Sequence, residues 1–153
     1  MGLYFLDTSA LVKLYFQEAG STAMSRLASA AGTRLAISTL GVVEFRAALR
    51  ARQRRQDISS GLAEQALAHF QHKAATVWQR QMLNDAVFDV SAALLDRNPL
   101  RAGDALQLAS CVVLHLHLRG SSPIFVCSDH ALVQAARVER IPCWDPVASE
   151  AHP

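Results

Sequence analysis

Apolar positions along this chain keep two rhythms, one for strands and one for helices. Residues 3–6 form an unbroken apolar run with Tyr4 and Phe5 inside it, as in a buried strand. After Asp7, positions Ala10, Leu11, Leu14 and Tyr15 recur at helical spacing and predict a helix over 8–16. A break at 18–21 precedes a second helix over 21–31, stopped by Gly32. Residues 35–38 read as a short strand. A long helix follows, carrying Val42, Val43, Phe45, Ala48 and Leu49. A turn at 57–61 leads to a helix marked by Leu62, Ala66, Leu67 and Phe70, then a third strand within 76–83. Asn84 or Asp85 caps a helix with Val87, Val90, Leu94 and Leu95. Asn98-Pro99 suits the first turn of another helix, running on to about Leu118. A loop at 120–123, a strand at 124–127, a helix from Asp129 and a last strand at 141–144 complete the series.

Strands alternating with helices imply an α/β fold with three layers, a mainly parallel sheet covered by helices on both faces. No repeat or linker divides the chain. The expectation is a single domain over 1–147 with a tail at 148–153, and everything after Asp145 looks dispensable. A length of 153 residues suits one real core, and 51% hydrophobic against 18% charged residues excludes a disordered chain. No apolar run reaches membrane-spanning length, so no membrane is expected. The N-terminus lacks a basic region and a small-residue cleavage site, which points to a cytoplasmic protein. Cys111, Cys127 and Cys143 show no zinc spacing and read as reduced, buried fillers.

Net charge of +2 is too small to announce a nucleic-acid binder. Its distribution says more, because Arg46, Arg50, Arg52, Arg54 and Arg55 crowd ten residues. A solvated helix end, favoured by the helix dipole, and a phosphate-binding patch both explain that cluster.

Sites in open α/β sheets form beyond the carboxyl ends of the strands. Asp7 ends the first predicted strand, with Thr8 and Ser9 behind it; Asp129 ends another, behind Ser128. Glu44 and Asp104 fall in the opening turns of helices, whose side chains lean back toward the strand ends. Each has a plainer reading when taken alone. Asp7 and Asp129 would cap helices, Glu44 would be an exposed helix residue, and Asp104 would pair with Arg101 one turn away. Together they suggest more. Four carboxylates in apolar company repel one another and raise each other's pKa, and a divalent cation removes the conflict. All-oxygen ligands favour Mg²⁺ or Mn²⁺.

These stretches resemble the PIN domain, and most closely a VapC-type toxin of a toxin–antitoxin pair. The resemblance rests on "FLDTSALVKLY", on "STLGVVEFRAAL" with its Glu after a Ser/Thr helix start, on "LRAGDALQLA" and on "IFVCSDHALVQAA". Gly103 and Cys127 depart from the usual pattern without removing a ligand. The resemblance implies a PIN-like three-layer fold and a Mg²⁺- or Mn²⁺-dependent endoribonuclease. It implies Asp7, Glu44, Asp104 and Asp129 as the metal-binding catalytic acids, with Thr8, Ser9 and Ser128 as supporting polar groups. It further implies a homodimer and a VapB-like antitoxin whose C-terminal segment packs along the toxin, with Leu11, Leu14 and Tyr15 as candidates to line the groove. An acidic pocket repels RNA, so basic flanks must hold the backbone; Arg46, Arg50 and Arg101 are the candidates, while Arg52, Arg54 and Arg55 could equally meet an antitoxin.

Competing readings are weaker. A haloacid dehalogenase phosphatase needs an Asp where Ser9 stands, and a receiver domain needs an acid pair and a late lysine that are absent. A catalytically silent PIN domain acting as a binding or regulatory partner stays open, as does an RNA-processing PIN nuclease without antitoxin. His115 and His117 are two apart and do not face one another. His69 and His72 share a face without a third ligand, and His130 abuts Asp129. Trp78 and Trp144 read as packing residues.

Overall fold

Alternation within the first apolar run sends its side chains to two faces. In the computed structural model, which describes residues 2–118 and 122–151, that run is β1 (Gly2–Leu6). Leu3 and Phe5 join one apolar cluster, and Leu6, with the half-buried Tyr4 against it, joins the other. β1 pairs in parallel with β2 (Thr33–Ser38) on one side and β4 (Ile124–Val126) on the other. β3 (Gln79–Gln81) and β5 (Cys143–Trp144) extend the two flanks, also in parallel, giving the order β3-β2-β1-β4-β5. Register sets Phe5 beside Ala36 and Phe125, and the two rings stack with centroids 6.1 Å apart.

Among the described residues eight helices cover the sheet. α1 (Thr8–Val12), α2 (Ser21–Ser29), α3 (Thr39–Arg54) and α4 (Ser60–Thr76) pack with the cluster of Leu6, Ile37 and Val126. α5 (Asp85–Arg97), α6 (Ala102–His117) and α7 (His130–Val138) cover the face of Phe5, Ala36 and Phe125. This is the expected α/β/α sandwich, and its sheet is parallel throughout. Strand order reverses at β1, so the carboxyl ends of β1 and β4 open a crevice where such folds bind ligands.

Three expectations differ in detail. The first helix stops at Val12, not Phe16, because Lys13, Leu14 and Tyr15 tighten into i→i+3 bonds. That turn drops Tyr15 against Phe45, centroids 4.8 Å apart, and Phe45 stacks on Phe70 at 4.2 Å. Each such pair adds about 0.5–1.5 kcal/mol beyond area burial. The helix expected at Asn98-Pro99 begins at Ala102. Asn98 instead closes α5, its Nδ2 donating to the Leu94 carbonyl at 3.1 Å. The third strand is only Gln79–Gln81, since α4 runs on to Thr76.

The stretch that looked dispensable is α8 (Pro146–Ala151), and it does structural work. Glu150 accepts from Gly20 N–H and Ala23 N–H, both at 2.8 Å, and so caps α2, which has no side-chain cap of its own. Gly20 sits at φ 90°, and a Cβ there would meet Lys13 and Val147 at 3.1–3.2 Å. The loop predicted at 120–123 lies partly outside the described residues.

Candidate active site

β1 ends in Leu6, and Asp7 N–H donates to the Val126 carbonyl at 3.0 Å, tying the first acid to the end of β4. Asp7 caps α1 by accepting from Ser9 N–H at 3.1 Å. Asp129 caps α7 by accepting from Leu132 N–H at 3.0 Å. Asp104 pairs with Arg101, Nε to Oδ2 3.0 Å. These three plainer roles hold without competing with the chemical one, whereas Glu44 is half-buried and held by Thr8 and Gln107, not the exposed helix residue of its plainer reading. A cavity of about 300 Å³ is lined by Asp7, Thr8, Ser9, Glu44, Ala47, Arg101, Asp104 and Asp129. Four acids from four distant segments thus face one space at the strand ends. Two larger cavities, about 1090 and 770 Å³, lie away from it and contain none of these acids.

Electrostatics of the pocket follow from burial. Asp7 is 6% exposed. Burial pushes its carboxyl above the usual range, hydrogen bonds from Ser9 and Thr8 pull it partly back, and the charge of Glu44 pushes it further up. Its other neighbour is the Cys127 thiol, 3.6 Å from Oδ2. Burial raises that thiol too, with the Asp7 charge adding to it, so it stays protonated and donates. Cys127 is therefore more than filler: its sulfur also accepts from Asp129 N–H at 3.2 Å, joining two of the acids.

The supporting groups divide. Thr8 donates its hydroxyl to Glu44 Oε2. Ser9 holds Asp7 and also accepts from Ser128 N–H at 3.3 Å. Ser128 is not among the lining residues, and its hydroxyl is buried without a partner among the described residues. The arginines divide as well. Arg101 lines the cavity, whereas Arg46 is exposed away from the lining. Arg50 is engaged by Glu64 at 2.8 Å and Gln53 at 2.8 Å. Arg52 is bound to Glu18 at 2.6 Å and stacks over Phe16, and Arg55 pairs with Asp57. Trp78 packs on Phe70, as expected, and the exposed His130 meets Gln134 and does not line the cavity.

Sequence reading missed Gln107. It is 1% exposed, donates to Glu44 Oε2 at 2.6 Å and to Thr8 Oγ1 at 3.0 Å, and accepts from Ser38 Oγ at 3.0 Å. The available signal was an amide one turn beyond Asp104, in an otherwise apolar stretch.

The donor set fits a hard divalent cation, being four carboxylates around one small cavity. As they stand among the described residues, no three His, Cys, Asp or Glu side chains converge closely enough to enclose an ion. Arg101 supplies the positive charge at Asp104.

Residues 4–137 match the family model described as the PIN domain. None of the curated proteins matches the chain in sequence. Solved structures do match in fold. FitAcB from Neisseria gonorrhoeae superposes with TM-score 0.65 at 14% identity, over 94% of this chain and 97% of that one. VapBC2 from Rickettsia felis, bound to a DNA fragment from its promoter, gives TM-score 0.63 at 11% identity, over 94% and 98%. Mycobacterium tuberculosis VapC20, a toxin that cleaves the sarcin–ricin loop, gives 0.62 at 18%, over 88% and 95%.

Proposed function

The chain belongs to the PIN domain family, and from that premise we propose that it is a Mg²⁺- or Mn²⁺-dependent endoribonuclease, the toxin of a VapBC-like toxin–antitoxin pair. The observation that carries this reading is the convergence of Asp7, Glu44, Asp104 and Asp129 on one cavity at the strand ends.

These four carboxylates would hold the ion. When bound, it lowers the pKa of a water and neutralises charge gathering on phosphate oxygens. Asp7 is the buried anchor, fixed by the first turn of α1 and by the Cys127 thiol. Glu44 is held by Thr8 and Gln107. Asp104 and Asp129 complete the acidic wall, and either carboxylate can take a proton from an attacking water. Arg101, at the mouth of the cavity and 83% exposed, is the group best placed to meet an RNA phosphate. Arg46, exposed and without an ion-pair partner among the described residues, can add a second contact, and Arg50 would first have to leave Glu64.

The antitoxin belongs to the same proposal, supported by the likenesses to VapBC2 and to a toxin–antitoxin complex from Klebsiella pneumoniae, and the proposed assembly is a homodimer. Leu14 and Tyr15 line the cavity of about 770 Å³ beside α2 and α4, which suits an antitoxin segment; Leu11 is wholly buried and contributes to the core instead. Among the described residues no helix is long and apolar enough to cross a membrane, and the proposed site of action is the cytoplasm.

Purified protein incubated with total bacterial RNA and Mn²⁺ is expected to yield discrete fragments. Chelation by EDTA, or Asp7→Asn, should lower cleavage by about 100-fold or more. Equal cleavage in all three samples would refute a metal site built on Asp7.

A further inference from the structure

Glu44 presents two carboxylate oxygens that the structure treats very differently. Oε2 accepts from the Thr8 hydroxyl and, at 2.6 Å, from Gln107 Nε2. Oε1 has no such partner among the described residues, and a Cβ at Gly103 would stand 3.2 Å from it. Behind Oε2 lies a continuous chain of hydrogen bonds. Gly41 N–H donates to Ser38 Oγ at 3.0 Å, and Ser38 donates to Gln107 Oε1 at 3.0 Å. Gln107 Nε2 then donates to both Thr8 Oγ1 and Glu44 Oε2, and Thr8 donates its own hydroxyl to Glu44. Turning the Gln107 amide over would set its oxygen against the Glu44 carboxylate and its N–H groups against the Ser38 donor. One orientation satisfies every group, in a buried place where an unmet polar group is costly.

We propose that Gln107 is a positioning residue: oriented by Ser38, its amide pins Oε2 of Glu44 and leaves Oε1, beside Gly103, as the oxygen offered to the metal. The small residue at Gly103 is part of the same arrangement, because a methyl there would crowd the free oxygen. This rests on the metal-site reading above. Groups that orient metal ligands through a hydrogen bond change metal affinity by about 10–100-fold when removed.

Binding of Mn²⁺ alone, measured by calorimetry without RNA, tests it. Gln107→Met keeps the volume and loses the donor; it should bind Mn²⁺ about 10-fold more weakly than wild type. In a Glu44→Gln background the same change should have no further effect, since Gln107 acts through Glu44. Gln107→Glu, which keeps the acceptor for Ser38 but turns a carboxylate on Glu44, should also lose affinity and serves if the Met variant folds poorly. Wild-type affinity in Gln107→Met, or equal losses with and without Glu44, would overturn the proposal. Absence of Mn²⁺ binding by the wild type would instead overturn the metal-site reading, and this inference with it.

Discussion

Asp7 does two jobs with one side chain. It caps α1, which Asp, Asn, Ser and Thr all do well, and it carries a charge into a place that is 6% exposed. The first job stabilises the fold and the second opposes it. Asp7→Asn should therefore keep the cap, remove the buried charge and raise Tm in metal-free buffer by about 2–4 °C, the scale of ~1 kcal/mol in a domain this size. The sign with pH follows from the raised pKa. The penalty is fully present above the folded-state pKa and fades as pH falls toward the ordinary carboxylate value. The gain from Asn should thus be largest at neutral pH and vanish below about pH 4, as thermal melts across pH would show. A gain that grew on acidification would contradict the assignment. Both roles of Asp7 were legible in the sequence, because an acid at the end of an apolar run announces a cap and a site equally. What joins Glu44 to Gln107 was not, since it spans 63 residues and depends on how α3 and α6 meet.

Elements were legible where apolar period and punctuation agreed, as at β1, β2, α3 and β4. They were misread where a side chain had a distant partner. Asn98-Pro99 has the grammar of a helix start, yet Asn98 is drawn back to α5 and also donates to Glu139 at 2.9 Å. Glu139 in turn takes both arms of Arg97, at 3.0 and 2.9 Å, so α7 fixes where α5 ends. α8 is the same lesson at the other end of the chain. Its Glu150 is held below the usual carboxylate range by the backbone N–H groups of Ala23 and Gly20. Such a group stabilises the fold above its unfolded-state pKa, and the contribution is lost as pH falls through the lowered folded value. Glu150→Ala should lower Tm at pH 7, and the gap between the two proteins should narrow as pH falls through the lowered folded-state value, as melts across pH would show. Equal Tm at neutral pH would show that α2 needs no cap from α8.

The whole molecule explains why four acids separated by as many as 122 positions, Asp7 to Asp129, share a cavity of about 300 Å³. A parallel sheet sends every strand's carboxyl end to one edge, and reversal of strand order at β1 parts the following helices there. Alternating strands and helices were enough to predict this arrangement. The fate of the basic residues was not predictable, because Arg50 and Arg52 find acids, Glu64 and Glu18, that only the folded chain brings near, while Arg55 pairs locally with Asp57. Much of the arginine cluster is thereby spent on α3, α4 and the loop before α2. That leaves Arg101 to balance the acids at the mouth of the site.

The central claim is that this acidic crevice cuts RNA, and mapping RNA 5′ ends tests it most directly. Wild type and Asp7→Asn would each be induced in a bacterial host without antitoxin, with folding verified for both. The account predicts discrete new 5′ ends made by the wild type and absent from Asp7→Asn. Identical end maps from the two folded proteins would contradict it, and would leave the crevice as a binding surface.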